Sequence, residues 1–172
     1  MNLHLEIILA QPEHLCALPN IERSAAQLFV GWDVPDCVIY DQTSLEEFTE
    51  LQHKQRLWVA LLNKAAVGFA VVEPEGDSLH LEELDVDPQF GRQGIGSAIV
   101  NFLCEWATNQ NYCAMTLTTY SDIPWNAPFY QKLGFVMLTD AQLTESLKLR
   151  AEIEDSRGLK STRRTGMRKM LK

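Results

Sequence analysis

"LDVDPQFGRQGIGSAIV", residues 84–100, joins three local patterns without a break. The run "SLHLEELDVD" that leads into it alternates apolar and polar residues up to Pro88, which predicts a strand. After it, Ile95, Ile99, Phe102, Leu103 and Trp106 recur at steps of three and four, which predicts a helix with one buried stripe and with Asn101 and Glu105 facing water. Between strand and helix lie Gly91, Arg92, Gln93, Gly94, Ile95, Gly96 and Ser97. Such a turn is either plain surface structure or a cradle for phosphate oxygens. The second reading rests on context: a strand, a glycine turn and a helix start bring unpaired amides to one point, with the positive end of the helix dipole behind them. Gly91, Gly94 and Gly96 permit backbone angles closed to other residues, and Arg92 and Gln93 add side-chain donors at the rim.

Two familiar phosphate loops are excluded. A Walker A loop needs Lys before its Ser or Thr, and no lysine precedes Ser97. A dinucleotide fingerprint follows the first strand of its unit and needs a further glycine three residues after Gly96, where this chain has Ile99. What remains is a pyrophosphate carried by another cofactor. The net charge of −8 argues against a nucleic-acid binder and favours a cationic small substrate. No window has the length and apolarity of a membrane helix, and "MNLHLEIILA" lacks the basic start and cleavage site of a signal peptide. Cys16, Cys37, Cys104 and Cys113 have no metal-ligand spacing, so no metal site is expected; they read as reduced, mostly buried thiols of a cytoplasmic protein.

The rest of the chain supplies the surrounding elements. "LHLEIILA" (residues 3–10) reads as a strand, and Gln11 to about Phe29 as a helix broken at Pro19. "TSLE" (43–46) has capping-box spacing for a helix from about Ser44 to His53. "RLWVALLN" and "AAVGFAVVE" form a hairpin about Asn63 and Lys64, with "PEGD" as the next turn. "CAMTLTTY" is a strand, "WNAPFYQKLG" a short helix stopped by Gly134, "FVML" a strand, "AQLTESLKLRAEIE" a helix and "RRTGMRKML" a closing strand. That order predicts a mixed sheet with helices on its faces in a single domain, residues 1–172.

The opening stretch, followed by "NAPFYQKLGF" (126–135), resembles the GCN5-related N-acetyltransferase (GNAT) family in order, spacing and surrounding elements. The family pattern often has Gln or Arg where this chain has Gly91, and Arg92 follows immediately. The resemblance implies an α/β (α+β) fold with a mixed, mostly antiparallel central sheet of about seven strands and helices on both faces. It implies acetyl-coenzyme A as co-substrate, with its pyrophosphate at Gly91–Ser97. The main chain of Leu84, Asp85 and Val86 would bind pantetheine like an added strand and point an N–H at the thioester carbonyl, and Asn126 and Tyr130 would lie beside the sulfur. By family likeness the chain forms a homodimer.

Direct transfer of an acetyl group to a primary amine needs a base, an oxyanion donor and an acid. Tyr130 is the expected acid, since a phenol of pKa about 10 can protonate a thiolate whose conjugate acid is near 8.5; the competing reading is a core aromatic like Phe129. Asn126 either contacts the cofactor or caps its helix. Along the strand, His80 and Glu82 share one face and Glu83 and Asp85 the other. By the resemblance, Glu82 is the first candidate base, His80 the second and Glu83 the third, unless a bulge exchanges Glu82 for Glu83. Phe29, Trp32, Tyr40 and Trp58 are candidate acceptor-pocket walls, with Asp33, Asp36, Glu46 and Glu47 as cation anchors. Tyr120 and Trp125 flank the Tyr130 helix and are expected to close over the acceptor. The basic run "KSTRRTGMRK" (160–169) reads as a strand edge, or as a contact for the cofactor's 3′-phosphate or a partner subunit. The acceptor is a small-molecule amine or an amino terminus; the alternatives are a non-catalytic acyl-coenzyme A-binding sensor and a peptide or protein lysine acetyltransferase.

Overall fold

The computed structural model describes residues 4–159 and 163–171. Leu3 of the first expected strand and Lys160, Ser161 and Thr162 of the basic run lie outside the described residues. In chain order the elements are β1 (Leu5–Leu9), α1 (Leu18–Ala26), α2 (Asp36–Tyr40), α3 (Leu45–His53), β2 (Leu57–Leu62), β3 (Ala65–Glu75) and β4 (Ser78–Val86). There follow α4 (Ile95–Asn109), β5 (Ala114–Tyr120), α5 (Ala127–Lys132), β6 (Val136–Met137), α6 (Glu145–Ser156) and β7 (Arg164–Met170). The strands make a seven-stranded sheet in the order β1-β2-β3-β4-β5-β7-β6. Pairs β1–β2, β2–β3, β5–β7 and β6–β7 are antiparallel, and β4–β5 is parallel. A parallel pair needs a crossover, and α4 is that crossover. The expected α/β class and mostly antiparallel seven-stranded sheet are therefore present.

By internal packing the chain forms two compact units, Met1–Val72 with Glu83–Phe102, and Glu73–Glu82 with Leu103–Lys172. In the first, alternation along β2 sends Leu57, Val59 and Leu61 into a core with Leu18 of α1 and Phe48 of α3. Phe48 meets Phe69 of β3 edge to face at 5.3 Å. On the other face of β2, Trp58 is buried and packs on Phe102 of α4 at 5.3 Å. Trp58 is thus core, not a pocket wall as the sequence allowed. In the second unit the core is built on Leu103, Met115, Leu117, Ile123, Leu147 and Met167.

Several local expectations shift. Pro19 lies in the first turn of α1, where its missing N–H costs nothing, so it starts that helix rather than breaking it. The capping box is Ser44 with Glu47, one residue later than expected, because Thr43 is committed to Glu22 through its N–H and its Oγ1 at 2.9 Å. Glu47 is therefore a cap and not a cation anchor. The five-residue α2 was not expected; it is too short to show a period. The cysteines are free, but only Cys104 is buried. No helix among the described residues is long and apolar enough to cross a membrane.

Candidate functional site

In the first unit, β4 is followed by Asp87, whose N–H donates to the Val67 carbonyl at 2.9 Å and whose side chain accepts from Gln89 N–H at 2.9 Å. A single 3₁₀ turn, Pro88–Phe90, closes with Gly91 N–H donating to the Pro88 carbonyl at 3.0 Å. Gly91 itself is extended, at φ −60° and ψ 155°. The left-handed residues are Arg92 (φ +59°) and Gly94 (φ +80°), while Gly96 lies inside α4. Of the three glycines that permit such angles, only Gly94 uses that freedom. Arg92 adopts φ +59° without glycine's freedom, at a cost of about 1–2 kcal/mol. Gly91 matters for space instead, since a Cβ there would lie 3.0 Å from the Pro88 carbonyl oxygen.

The first hydrogen bond of the α4 ladder runs from Ala98 N–H to the Gly94 carbonyl at 2.9 Å. The amides of Ile95, Gly96 and Ser97 thus stand ahead of the ladder at the positive end of a fifteen-residue helix. Gly91 to Gly94 are exposed, whereas Ile95 is buried and pins the turn. An exposed turn backed by oriented amides fits the diphosphate of an acyl-coenzyme A.

Behind this turn, Gly68 of β3 lets β4 approach closely: a Cβ at Gly68 would lie 2.8 Å from the Asp85 carbonyl oxygen. Burial pushes the Asp85 carboxyl up to about 7; a hydrogen bond shared with Glu83 pulls it down, and the charge of Glu22 adds to the rise. The Glu83 side chain, third among the candidate bases, is thus engaged with Asp85 on the other face of β4 from Glu82.

The second unit carries His80, Glu82, Asn126 and Tyr130. On β4, His80 is 2% exposed and its Nδ1 meets Thr116 Oγ1 of β5 at 2.9 Å. Burial, then the positive charges of Arg150 and Arg164, push it down to about 3. His80 is therefore neutral at physiological pH and a weak base, which counts against it as the second candidate. The β4–β5 register runs evenly from Ser78 to Leu81. Glu82 pairs through Oε2 with Arg150 Nη1 on α6, and Arg150 Nε pairs with Glu75.

Helix α5 places the other pair. Asn126 occupies the N-cap position, but its side chain does not cap the helix; its Oδ1 accepts from Thr119 Oγ1 of β5 at 2.6 Å. Tyr130, one turn later, is half-buried between Phe129 (5.0 Å) and Phe135 (5.7 Å). Gly134, at φ +89°, closes α5: Phe135 N–H donates to the Tyr130 carbonyl and Gly134 N–H to the Gln131 carbonyl. Backbone geometry thereby fixes the turn that carries the phenol.

Of the expected acceptor residues, Phe29 and Trp125 are half-buried, while Trp32 and Tyr40 are exposed, as are Asp33, Asp36 and Glu46. Tyr120 is only 3% exposed, with the Arg164 guanidinium 5.1 Å over its ring. That is a packing environment and not that of a residue closing over an acceptor. Sequence reading missed Arg150, Glu75, Glu154 and Arg164. The only local trace is that Arg150 and Glu154 are four apart on one helix face.

Comparison with known proteins adds the following. The chain is 28% identical over 103 residues to the N-acetylaspartate synthetase of Danio rerio, covering 58% of this chain but only 36% of that relative. The PaiA N-acetyltransferase of Thermoplasma acidophilum, solved in complex with coenzyme A, matches with a TM-score of 0.76 at 16% identity, over 97% of this chain and 99% of that one. The ribosomal-protein-S18-alanine N-acetyltransferase of Escherichia coli matches with a TM-score of 0.67 at 18% identity, over 98% and 94% of the two chains. These two likenesses establish the fold. The family model of the acetyltransferase (GNAT) family matches residues 21–135, a stretch that holds both the glycine turn and the Tyr130 helix, and the chain belongs to that family.

Proposed function

We propose that the chain is a single N-acetyltransferase domain that moves an acetyl group from acetyl-coenzyme A directly to a primary amine. Family membership is the observation that carries this reading, and the turn–helix amides at residues 91–97 support it. Acetyl-coenzyme A supplies an acyl group activated as a thioester. The amides of Ile95, Gly96 and Ser97, with Arg92 and Gln93 at the rim, bind its diphosphate. The main chain of Leu84, Asp85 and Val86 binds the pantetheine arm like an added strand, and one N–H of this stretch stabilises the developing oxyanion, a contribution of about 3 kcal/mol for a well-placed donor. Glu82 takes the proton from the acceptor ammonium, and Tyr130 protonates the departing thiolate. Asn126, held on Thr119, lies on the same turn as Tyr130 and orients the thioester arm. Phe29, Trp32 and Trp125 contact the acceptor.

The acceptor we infer is an α-amine, of a free amino acid or of a chain terminus. Both the N-acetylaspartate synthetase and the ribosomal-protein-alanine N-acetyltransferase are named for α-amine acceptors. An α-amino group, with a pKa of about 8, is also easier to deprotonate than a lysine near 10.4. The test is thiol release from acetyl-coenzyme A in the presence of amino acids, short peptides, polyamines and lysine side-chain analogues. Turnover is expected with α-amines first, and Tyr130→Phe is expected to lower kcat by about 10²-fold or more at unchanged cofactor affinity. Absence of turnover with every amine overturns the reading in favour of a binding module.

A further inference from the structure

One arm of Arg150 has no structural explanation. Its Nε pairs with Glu75 and its Nη1 with Glu82, and the three side chains are 19%, 12% and 45% exposed. Glu75, at the buried end, needs a counter-charge, because an unpaired carboxylate there is costly. Glu82, at the accessible end, does not: an ion pair to a half-exposed carboxylate adds little to stability. The second arm must then be judged by what it does to Glu82.

A guanidinium is planar, with its donors in a fixed fork. Held at Nε by Glu75, the group cannot swing freely about its stem, so the position of Nη1 is set and Glu82 Oε2 is set with it. The helix beneath is clamped as well. One turn beyond Arg150 on the same face of α6, Glu154 accepts from Arg164 Nε at 2.7 Å, Arg164 Nη2 at 3.0 Å and Thr118 Oγ1 at 2.5 Å. Arg150 therefore projects from a helix fixed to β5 and β7. Its neighbour on the Glu82 face, His80, is buried and neutral and brings no charge to compete for the carboxylate.

We infer that Arg150 is a positioning residue for acceptor activation: anchored by Glu75, it holds Glu82 by Oε2 and so presents Oε1 to the acceptor ammonium. The N–H bond of the ammonium breaks, the proton passes to Oε1, and the neutral amine keeps the electron pair with which it attacks the thioester. This role rests on the acetyl-transfer reading and on Glu82 as its base.

The test is a double-mutant cycle of Arg150→Met and Glu82→Gln, with kcat, KM for acetyl-coenzyme A and the thermal midpoint measured for each protein. Arg150→Met is expected to lower kcat on the order of 10²-fold, as loss of orientation does, without moving KM for the cofactor. In the Glu82→Gln background the same change is expected to cost nothing further. An equal loss in both backgrounds marks Arg150 as merely structural and overturns the inference. Should Arg150→Met fail to fold, Arg150→Gln, which leaves Glu75 a hydrogen-bond donor, takes its place in the cycle under the same criteria. Full kcat in Glu82→Gln alone overturns the positioning role while acetyl transfer stands. Absence of turnover in the unmodified protein overturns both.

Discussion

The glycine turn at the head of α4 and the ion network on α6 do their work by different means. The turn uses main chain: its donors are amides, its shape comes from Arg92 and Gly94 in the left-handed region, and its side chains matter where a Cβ collides. The network works chiefly through side chains, with Glu75, Glu82, Thr118, Arg150, Glu154 and Arg164 supplied by five elements. A main-chain device tolerates substitution unless the backbone is strained. A side-chain device fails when one member changes, because the partners left behind are charged and partly desolvated.

The sharpest way to break this contrast is at Glu154. Arg164 and Glu154 are 15% and 20% exposed, so Glu154→Leu strands a guanidinium in a poorly solvated place. A loss of about 3–5 kcal/mol in unfolding free energy is expected by chemical denaturation. A loss near zero would show that packing alone holds α6.

A smaller effect is expected behind the turn. The Asp85 carboxyl stands at about 7 in the folded chain against about 3.9 when unfolded. Between these values the folded state keeps a proton that the unfolded state has released, so this group lowers stability as pH rises and its effect levels off above about 7. The loss is expected to be steepest between pH 5 and pH 7. Asp85→Asn should flatten that slope in denaturation series at several pH values; an unchanged slope would show that another group sets it.

The smallest test compares two neighbours in the turn. Gly94→Ala should cost about 1 kcal/mol or more, because alanine is strained at φ +80°, whereas Arg92→Gly should gain about 1 kcal/mol by relieving φ +59°. If Arg92→Gly also weakens acetyl-coenzyme A binding, the side chain contributes beyond its backbone. If the two changes have the same sign, backbone strain does not shape the turn.

Legibility followed the same division. The strand–turn–helix of residues 84–100 was readable because a strand period, a glycine cluster and a helical period adjoin. The closure of α5 at Gly134 was readable because a left-handed cap has a residue preference. The capping box was misplaced by a residue because Thr43 and Ser44 are equally good caps locally, and the choice between them is made by Glu22, far away in sequence. His80 looked like a candidate base because its burial against Thr116 has no trace in β4. Tyr120 looked like a pocket residue because the cation over its ring arrives from β7.

Sequence by itself determined the order of the strands, the strand–turn–helix of residues 84–100 and the helix that carries Tyr130, since each depends on propensities and periods within a dozen or so neighbouring residues. Only tertiary structure decided which carboxylates are engaged: Glu82 by Arg150, Glu83 by Asp85, Glu22 by Thr43. Charge pairing and desolvation act through space, and the chain reveals its partners there only after β3, β4 and α6 have packed.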